Sequence, residues 1–173
     1  FNYLKLKDIN SKFLIYFHND PLSMKGSKSI SERLSLLDKI DKIIFVSKWV
    51  QNRFFEGLDQ KLLNKTEVVY PSIHYEKKIF KKNKNITFVG KLNMAKGYDI
   101  YRDAIIKILD EFPDWNAFSI GDEKRNKPII NHSKHKDLGY LTHKNVLKFL
   151  QRSEIAVVPS RWEEPFGRTA LES

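Results

Sequence analysis

Six short apolar runs alternate along the chain with segments in which apolar residues recur at helical spacing. The runs have the length of buried strands, and their almost continuous apolarity predicts that both faces of the sheet are covered. This alternation is typical of a parallel α/β sheet with crossover helices. The predicted strands are FLIYF at 13–17, KIIFVS at 42–47, TEVVYP at 66–71, ITFVG at 86–90, WNAFSIG at 115–121 and EIAVVPS at 154–160.

Four of the intervening segments have features of helices. Ser29 and Glu32 stand at capping-box spacing and predict the first helix. Ser47 is a typical N-cap for the second helix and Thr142 for the fourth. Segment 97–112 has a long amphipathic pattern and is the clearest helix of the chain. Its predicted apolar stripe comprises Ile100, Tyr101, Ala104, Ile105, Ile108, Leu109 and Phe112.

A lysine-rich segment follows Pro71 and separates two groups of predicted strands. Its polarity and its position after a proline favour a linker, which we place at residues 76–85. The sequence therefore predicts the end of one Rossmann-like unit at 1–75 and most of a second unit at 86–173.

Composition narrows the class of protein. A chain of 173 residues with 41% hydrophobic and 13% aromatic residues can form a folded core. It has no cysteine and therefore no disulfide, which suits a reducing compartment. No apolar stretch reaches the length of a transmembrane helix. A net charge of +10 favours an anionic partner, although scattered lysines on a solvated face would produce the same excess.

Two lysines flank a glycine-containing loop after the strand at 86–90. Gly90 allows a ligand to approach the backbone, and Lys91 and Lys96 border the loop that leads into the next helix. Cations beside a helix N-terminus favour a diphosphate. GKLNMAKG matches neither a Walker loop nor a GxGxxG fingerprint, which disfavours a P-loop NTPase or a conventional dehydrogenase. On this segment alone, ordinary surface lysines remain the alternative.

Carboxylates surround a Pro-Phe-Gly corner in the final stretch, VVPSRWEEPFGRTALES. Because Pro165 disfavours helix at the preceding residue, Glu164 is predicted in a loop and Glu172 in the second turn of the following helix. Carboxylates can accept hydrogen bonds from the vicinal hydroxyls of a sugar. The N–H groups of Phe166 and Gly167 can meet phosphate or sugar oxygens. The spacing of the carboxylates alone could arise by chance.

These segments, taken together, resemble retaining GT-B glycosyltransferases, and glycosyltransferase family 4 in particular. The resemblance is strong over 86–173 and looser over 13–71. Its most specific part is the string PS-x-x-x-EPFG-x-x-x-LE. The segments that carry it, in the order and approximate spacing of the family, are FVGKLNMAKG, SIGDE, DLGYLTHKNVLKFLQRSEIAVVPS and EEPFGRTALES.

The resemblance implies an α/β GT-B fold with an N-terminal acceptor-side domain and a C-terminal donor-binding domain. It implies transfer of a sugar from a UDP- or GDP-sugar to a saccharide or lipid-linked acceptor, with retention of configuration and without cofactor or metal. It also implies polysaccharide or glycolipid synthesis for the cell envelope, in the cytoplasm at the inner face of the membrane. A peripheral membrane association would follow, and no specific nucleic acid is expected.

The resemblance also assigns roles to residues of this chain. Lys91 and Lys96 would bind the diphosphate and stabilise the departing nucleotide. Glu164 would face the transferred sugar, Glu172 would hold the ribose, and His18 would reach the donor from the N-terminal half. The implied catalytic residues are Lys91, Lys96, Glu164 and His18. The implied donor-binding residues are Gly90, Lys91, Lys96, Gly121, Glu164, Pro165, Phe166, Gly167 and Glu172.

Three departures from the family pattern bear on these assignments. Lys91 stands where arginine is more usual and offers a point charge instead of a planar fork. Glu123 makes the third residue of GDE, where glycine is more frequent, and would occupy space near the ligand. The first strands of the N-terminal domain and the C-terminal helices of the family have no counterpart here, so we expect a fragment of a longer protein.

Other functions remain open from sequence. The chain could be a catalytically incompetent fragment that binds a nucleotide or another polyanion, or a GT-B nucleotide-sugar epimerase. His132 and His135 fall in NHSKHKD, which is predicted to be a solvated loop and not a metal site. His74 and His143 have no evident partner. Glu163 lacks the family spacing to Glu172 and is predicted to be a neighbouring surface or acceptor-side residue.

Overall fold

The computed structural model describes residues 12–73, 80–125 and 128–173. The chain divides into two compact units, Phe1–Ser72 and Ile73–Ser173. His74 and the start of the predicted linker lie outside the described residues.

The first unit has a three-stranded parallel sheet in the order β1-β2-β3. Its elements are β1 (Leu14–Phe17), α1 (Ile30–Lys39), β2 (Lys42–Phe45), α2 (Lys48–Phe55) and β3 (Thr66–Val68), with 3-10 turns at Pro21–Ser23 and Gln60–Lys65. The capping box predicted at the start of α1 is confirmed, with reciprocal bonds between Ser29 and Glu32. Ser47 caps α2 through a bond from Val50 N. Aromatic packing forms much of the core, where the rings of Phe17, Phe45 and Phe54 contact one another.

The second unit has a four-stranded parallel sheet in the order β6-β5-β4-β7. Its elements are β4 (Asn83–Val89), a 3-10 turn at Met94–Lys96, α3 (Tyr98–Glu111), β5 (Asn116–Ile120), β6 (His135–Asp137), α4 (His143–Leu150), β7 (Ser153–Val157) and α5 (Arg168–Glu172). The chain adds strands in one direction from β4 to β6 and then returns to the other side of β4. The order therefore reverses between β4 and β7.

Two sequence predictions are wrong in the second unit. β4 begins at Asn83, so residues 83–85 of the predicted linker belong to the sheet. The histidine-rich segment contributes the edge strand β6, where His135 Nε2 lies 2.8 Å from Ser119 Oγ on β5. This strand is short and charged, which is why its sequence resembles a loop.

The buried face of α3 also differs from the predicted stripe. Ile100, Ala104 and Phe112 are exposed and Ile108 is half-buried, whereas Tyr98 is buried with the stripe residues Tyr101, Ile105 and Leu109. Apolar residues occupy more than one face of this helix, so periodicity alone does not select the buried one. The tyrosine hydroxyls explain the choice, because Tyr101 Oη donates to backbone carbonyls of both β4 and β5, and Tyr98 Oη lies 3.0 Å from Ser119 Oγ.

Candidate functional site

The loops that follow β4 and β7 meet where the strand order of the second unit reverses. In open parallel sheets, ligands bind beyond the carboxyl ends of the strands at such a reversal. The loop after β4 carries Gly90, Lys91 and Lys96, and the loop after β7 carries Glu164. The fold therefore brings two of the predicted site segments to one end of the sheet.

Close backbone contacts shape this end of the sheet. Gly90 N donates to Ile120 O at 3.0 Å, and Gly121 N donates to Gly139 O at 2.8 Å, which extends the strand pairing past the ends of β4 and β5. The backbones of Gly90 and Gly121 approach so closely that position 121 has no room for a Cβ atom. The lack of space therefore requires glycine at position 121, whereas Gly90 has a φ of +154° that other residues rarely adopt. Both glycines line an open cavity.

The start of α3 presses against the loop after β7 in a second close contact. Gly97 has φ +70°, and a Cβ atom at this position would lie 2.0 Å from Pro159 O. Only glycine combines this backbone conformation with so little space. Lys96, which immediately precedes Gly97, is thereby brought to the loop that carries Glu164.

Lys96 and Glu164 form an ion pair between Nζ and Oε1. Ser160 Oγ also donates to Glu164 Oε1 at 3.1 Å. On the other side, Asn93 Oδ1 accepts a hydrogen bond from Lys96 N at 3.2 Å and caps the turn. These bonds hold the two charged side chains in place. The side chains of Lys96 and Glu164 are 31% and 29% exposed, so both remain accessible from solvent.

A cavity of about 1160 Å³ opens among the loops that follow β4, β5 and β6. Asn93 and Ala95 of its lining precede Lys96 in the same loop, whereas Lys96 and Glu164 are not among its lining residues. Lys91, Gly90 and Gly121 line it, together with Glu123. Glu123 Oε2 accepts from Asn93 Nδ2 at 2.9 Å, and this bond, with a second from Arg125 N, lowers the pKa of the Glu123 carboxyl. The cavity wall therefore carries an ionised carboxylate as well as the predicted lysine.

Glu172 is the last residue of α5, and its carboxylate accepts hydrogen bonds from two side chains. Its Oε1 accepts from Arg168 Nη2 at 2.8 Å and from His143 Nε2 at 2.9 Å. The Glu172 side chain is only 9% exposed. The sequence assigned no partner to His143, and the structure corrects this, because α4 places the imidazole against the carboxylate that was predicted to hold the ribose.

The remaining predicted residues occupy other positions. Pro165, Phe166 and Gly167 are half-buried in the turn before α5, which begins at Arg168. His18 follows β1 in the first unit, where it is exposed and its ring centroid lies 4.3 Å from that of Tyr16. The role of His18 toward a donor therefore stays a prediction.

Sequence reasoning missed three residues that organise the site. Asn93 could have been found from its position as the cap of the 94–96 turn, three residues before Lys96. Arg161 in the loop after β7 pairs with Asp99 in the first turn of α3, with Nη1 and Oδ1 2.6 Å apart, and no local pattern connects them. Only the folded chain reveals this pair.

In the part of the chain that the structure describes, no group of three or more His, Asp or Glu side chains could hold a metal ion. No helix among the described residues is long and apolar enough to cross a membrane.

Comparison with known proteins identifies the family. The model of the family "Glycosyl transferases group 1" matches residues 70–173. A glycosyltransferase of Methanocaldococcus jannaschii, named as uncharacterized, is 35% identical over 139 residues, which cover 76% of this chain and 37% of the relative. The chain thus spans little more than a third of that relative's length.

Solved structures show the same fold at low sequence identity. HepE of Anabaena, crystallised with UDP and glucose, superposes with a TM-score of 0.66 at 16% identity, over 93% of this chain and 50% of HepE. TarM of S. aureus superposes with a TM-score of 0.70 at 14% identity, over 98% of this chain and 36% of TarM. These similarities confirm the predicted GT-B type of α/β fold. The family match and the archaeal relative together establish that this chain belongs to the group 1 glycosyltransferases.

Proposed function

We propose that this chain contributes the donor site of an enzyme that transfers a sugar from a nucleotide diphosphate sugar, with retention of configuration, to a saccharide or lipid-linked acceptor. The observation that carries the proposal is the Lys96–Glu164 ion pair at the reversal of strand order, together with a cavity at the same end of the sheet that is lined by Gly90, Lys91 and Gly121. HepE, whose crystals contain UDP and glucose, shares the fold and supports a UDP-sugar, and GDP-sugar is the alternative.

Different groups around the reversal of strand order would bind different parts of the donor. Lys91 and Lys96 would bind the diphosphate, where hydrogen bonds to charged groups contribute about 1.5 to 3 kcal/mol each. Glu164, with the backbone of residues 165–167, would face the sugar, and Glu172 would accept hydrogen bonds from the ribose hydroxyls. Gly90 and Gly121 would contribute backbone to the wall of the cavity, where a donor can approach main-chain groups closely.

The chemistry would be a substitution at the anomeric carbon of the donor. The bond between that carbon and the diphosphate oxygen breaks, and the diphosphate keeps the electron pair. The acceptor hydroxyl attacks from the same face and forms the new glycosidic bond, and its proton passes to the departing diphosphate. Lys91 and Lys96 would stabilise the developing negative charge, which is the usual task of fixed cations in group transfer. The carboxylates hold ligand groups and do not act as an acid–base pair flanking the bond.

The acceptor and its location rest on the family resemblance and on charge. We place the reaction in the cytoplasm at the inner face of a membrane, where a protein of net charge +10 can associate with anionic lipid. Co-sedimentation with phosphatidylglycerol vesicles at low salt, lost at high salt and with phosphatidylcholine vesicles, would support this association. Equal sedimentation with both lipids would contradict it.

Thermal unfolding with UDP and GDP tests the donor site. Ligand at 100 times its Kd should raise the melting temperature by about 5 °C or more. Glu172→Ala should reduce the shift, whereas Glu163→Ala should keep it because Glu163 is exposed. If neither nucleotide shifts the melting temperature, the proposal is wrong.

Activity assays separate the proposed enzyme from the other functions that sequence leaves open. Slow donor hydrolysis or transfer would support the glycosyltransferase. Nucleotide binding without either reaction would indicate an incompetent binding fragment, and altered sugar configuration without transfer would indicate an epimerase. Sequence-independent DNA binding that falls steeply with salt, without nucleotide binding, would indicate a general polyanion site.

A further inference from the structure

We propose that Arg161 is a positioning residue of the donor site, which ties the loop after β7 to the turn that carries Lys96. The inference rests on the proposed function, since it concerns the same ion pair. Arg161 itself would not touch the donor.

Arg161 binds the turn through one nitrogen of its side chain. Nη1 donates to Met94 O at 3.0 Å and to Asp99 Oδ1 at 2.6 Å. Met94 begins the 3-10 turn, and Asp99 lies in the first turn of α3. The guanidinium therefore spans the turn from its beginning to the helix that follows it.

The backbone at Arg161 adds to the same attachment. The N–H groups of Arg161 and Trp162 both donate to Ala95 O, each at 3.1 Å. Ser160 Oγ also lies 3.4 Å from Ala95 O. The loop after β7 is thus bonded to Met94, Ala95 and Asp99, the residues on either side of Lys96.

The residues of this attachment are close in sequence to both members of the Lys96–Glu164 ion pair. Lys96 follows Ala95, and Glu164 comes three residues after Arg161. The stem of lysine is flexible and does not by itself fix the ammonium group. The position of the ammonium therefore also depends on how firmly the backbone that carries the stem is held. The contact of Gly97 with Pro159 holds one end of the interface between the loops, and Arg161 holds the other. A cation that binds a diphosphate must be fixed in place to be effective, so loss of Arg161 should weaken phosphate binding.

The exposure of the Arg161–Asp99 pair indicates whether its removal will change stability or ligand affinity. The side chains of Arg161 and Asp99 are 47% and 19% exposed. Exposed ion pairs add little to global stability, so removal of Arg161 should leave the chain folded. The hydrogen bond from Arg161 lowers the pKa of the Asp99 carboxyl, so the folded chain favours the ionised form of Asp99. The consequence should therefore appear in ligand affinity.

The test compares UDP with uridine by calorimetric titration of the whole chain, or GDP with guanosine if the wild type selects guanine. Arg161→Gln should weaken UDP binding about tenfold and leave uridine binding unchanged, because only the phosphates depend on Lys96. Arg161→Lys should recover part of the affinity, since an ammonium can donate to both oxygens. Asp99→Asn, like Arg161→Gln, should weaken the binding of UDP. Arg152→Gln is the matched control, because Arg152 is exposed and immediately precedes β7, at the opposite end of the strand.

The outcomes distinguish this inference from the proposed function. Wild-type affinity for UDP in Arg161→Gln would overturn the positioning role alone. Equal losses of affinity for UDP and for uridine would also overturn the positioning role. Equal losses of affinity in Arg161→Gln and Arg161→Lys would do the same, because a general structural defect produces both results. Failure of the wild type to bind UDP and GDP would overturn the proposed function and this inference with it. Circular dichroism on each variant should show that the fold is retained.

Discussion

The Cα atom of Gly121 packs against the carbonyl group of Gly90, so that a Cβ atom at position 121 would lie 1.8 Å from Gly90 O. Gly121 also has φ +147°, a conformation that other residues rarely adopt. Both constraints lie where the ends of β4 and β5 meet. Space for a side chain could be made only by separating these strand ends.

Gly121→Ala should therefore lower the free energy of unfolding by at least about 2 kcal/mol. Gly139→Ala is the matched control, because Gly139 also has a positive φ, +62°, but nothing lies within 4 Å of its added Cβ atom. It should cost only the backbone strain, about 1 kcal/mol. Urea denaturation of both variants measures the difference. Equal losses would show that the contact with Gly90 is unimportant.

Lys96→Met should weaken the binding of UDP without a comparable loss of stability. Because the ion pair with Glu164 is partly exposed, its removal should change the free energy of unfolding by less than about 1 kcal/mol. UDP affinity should fall much more, about 30-fold, since the phosphate loses a charged hydrogen bond. Calorimetry and urea denaturation provide the two measurements.

Lys107→Met is the control for that comparison, because Lys107 is an exposed lysine further along α3. It should alter neither quantity appreciably. A similar loss of affinity in the two lysine variants would mean that general charge, and not Lys96, attracts the nucleotide.

Glu172→Gln should abolish discrimination between UDP and 2′-deoxy-UDP. If the carboxylate accepts a hydrogen bond from the ribose 2′-hydroxyl, the wild type should prefer UDP about tenfold. The variant should bind both nucleotides with the weaker affinity. Glu163→Gln should keep the wild-type preference. Persistence of the preference in Glu172→Gln would exclude Glu172 from ribose recognition and leave it as the structural partner of His143 and Arg168.

Alkaline pH should destabilise the second unit through the buried side chains of Tyr98 and Tyr101. Burial raises the pKa of both Tyr98 and Tyr101 above the ordinary value of about 10. Their neutral forms are therefore favoured in the folded chain, and the stabilisation is complete below pH of about 10. It is lost as pH rises from the unfolded pKa toward the folded pKa, because the unfolded tyrosines ionise first.

Tyr98→Phe and Tyr101→Phe together should flatten the decrease in stability between about pH 10 and pH 11.5. Urea denaturation at several pH values measures the slope. Tyr140→Phe should leave it unchanged, because Tyr140 is 79% exposed. Identical slopes in the wild type and the double variant would contradict the assignment to the buried pair.

The sequence by itself determined the α/β class, the principal helices and six of the seven strands that the described residues form. Each of these depends on short apolar runs, helical spacing or caps, which are local properties of the chain. The capping box at Ser29 and Glu32 is an example, because both partners lie within one turn. The segments around Lys96 and Glu164 could also be selected, because the ends of parallel strands are known places for ligands.

Only the tertiary structure decided which of these residues meet. Lys96 and Glu164 are 68 residues apart, and Asp99 and Arg161 are 62 apart. Their contacts depend on the return of the chain to the free side of β4, which no local pattern specifies. The buried face of α3 was decided in the same way, because the hydroxyls of Tyr98 and Tyr101 find their partners on strands, outside the helix itself. Local periodicity determines elements, whereas long-range packing and hydrogen bonding determine the site.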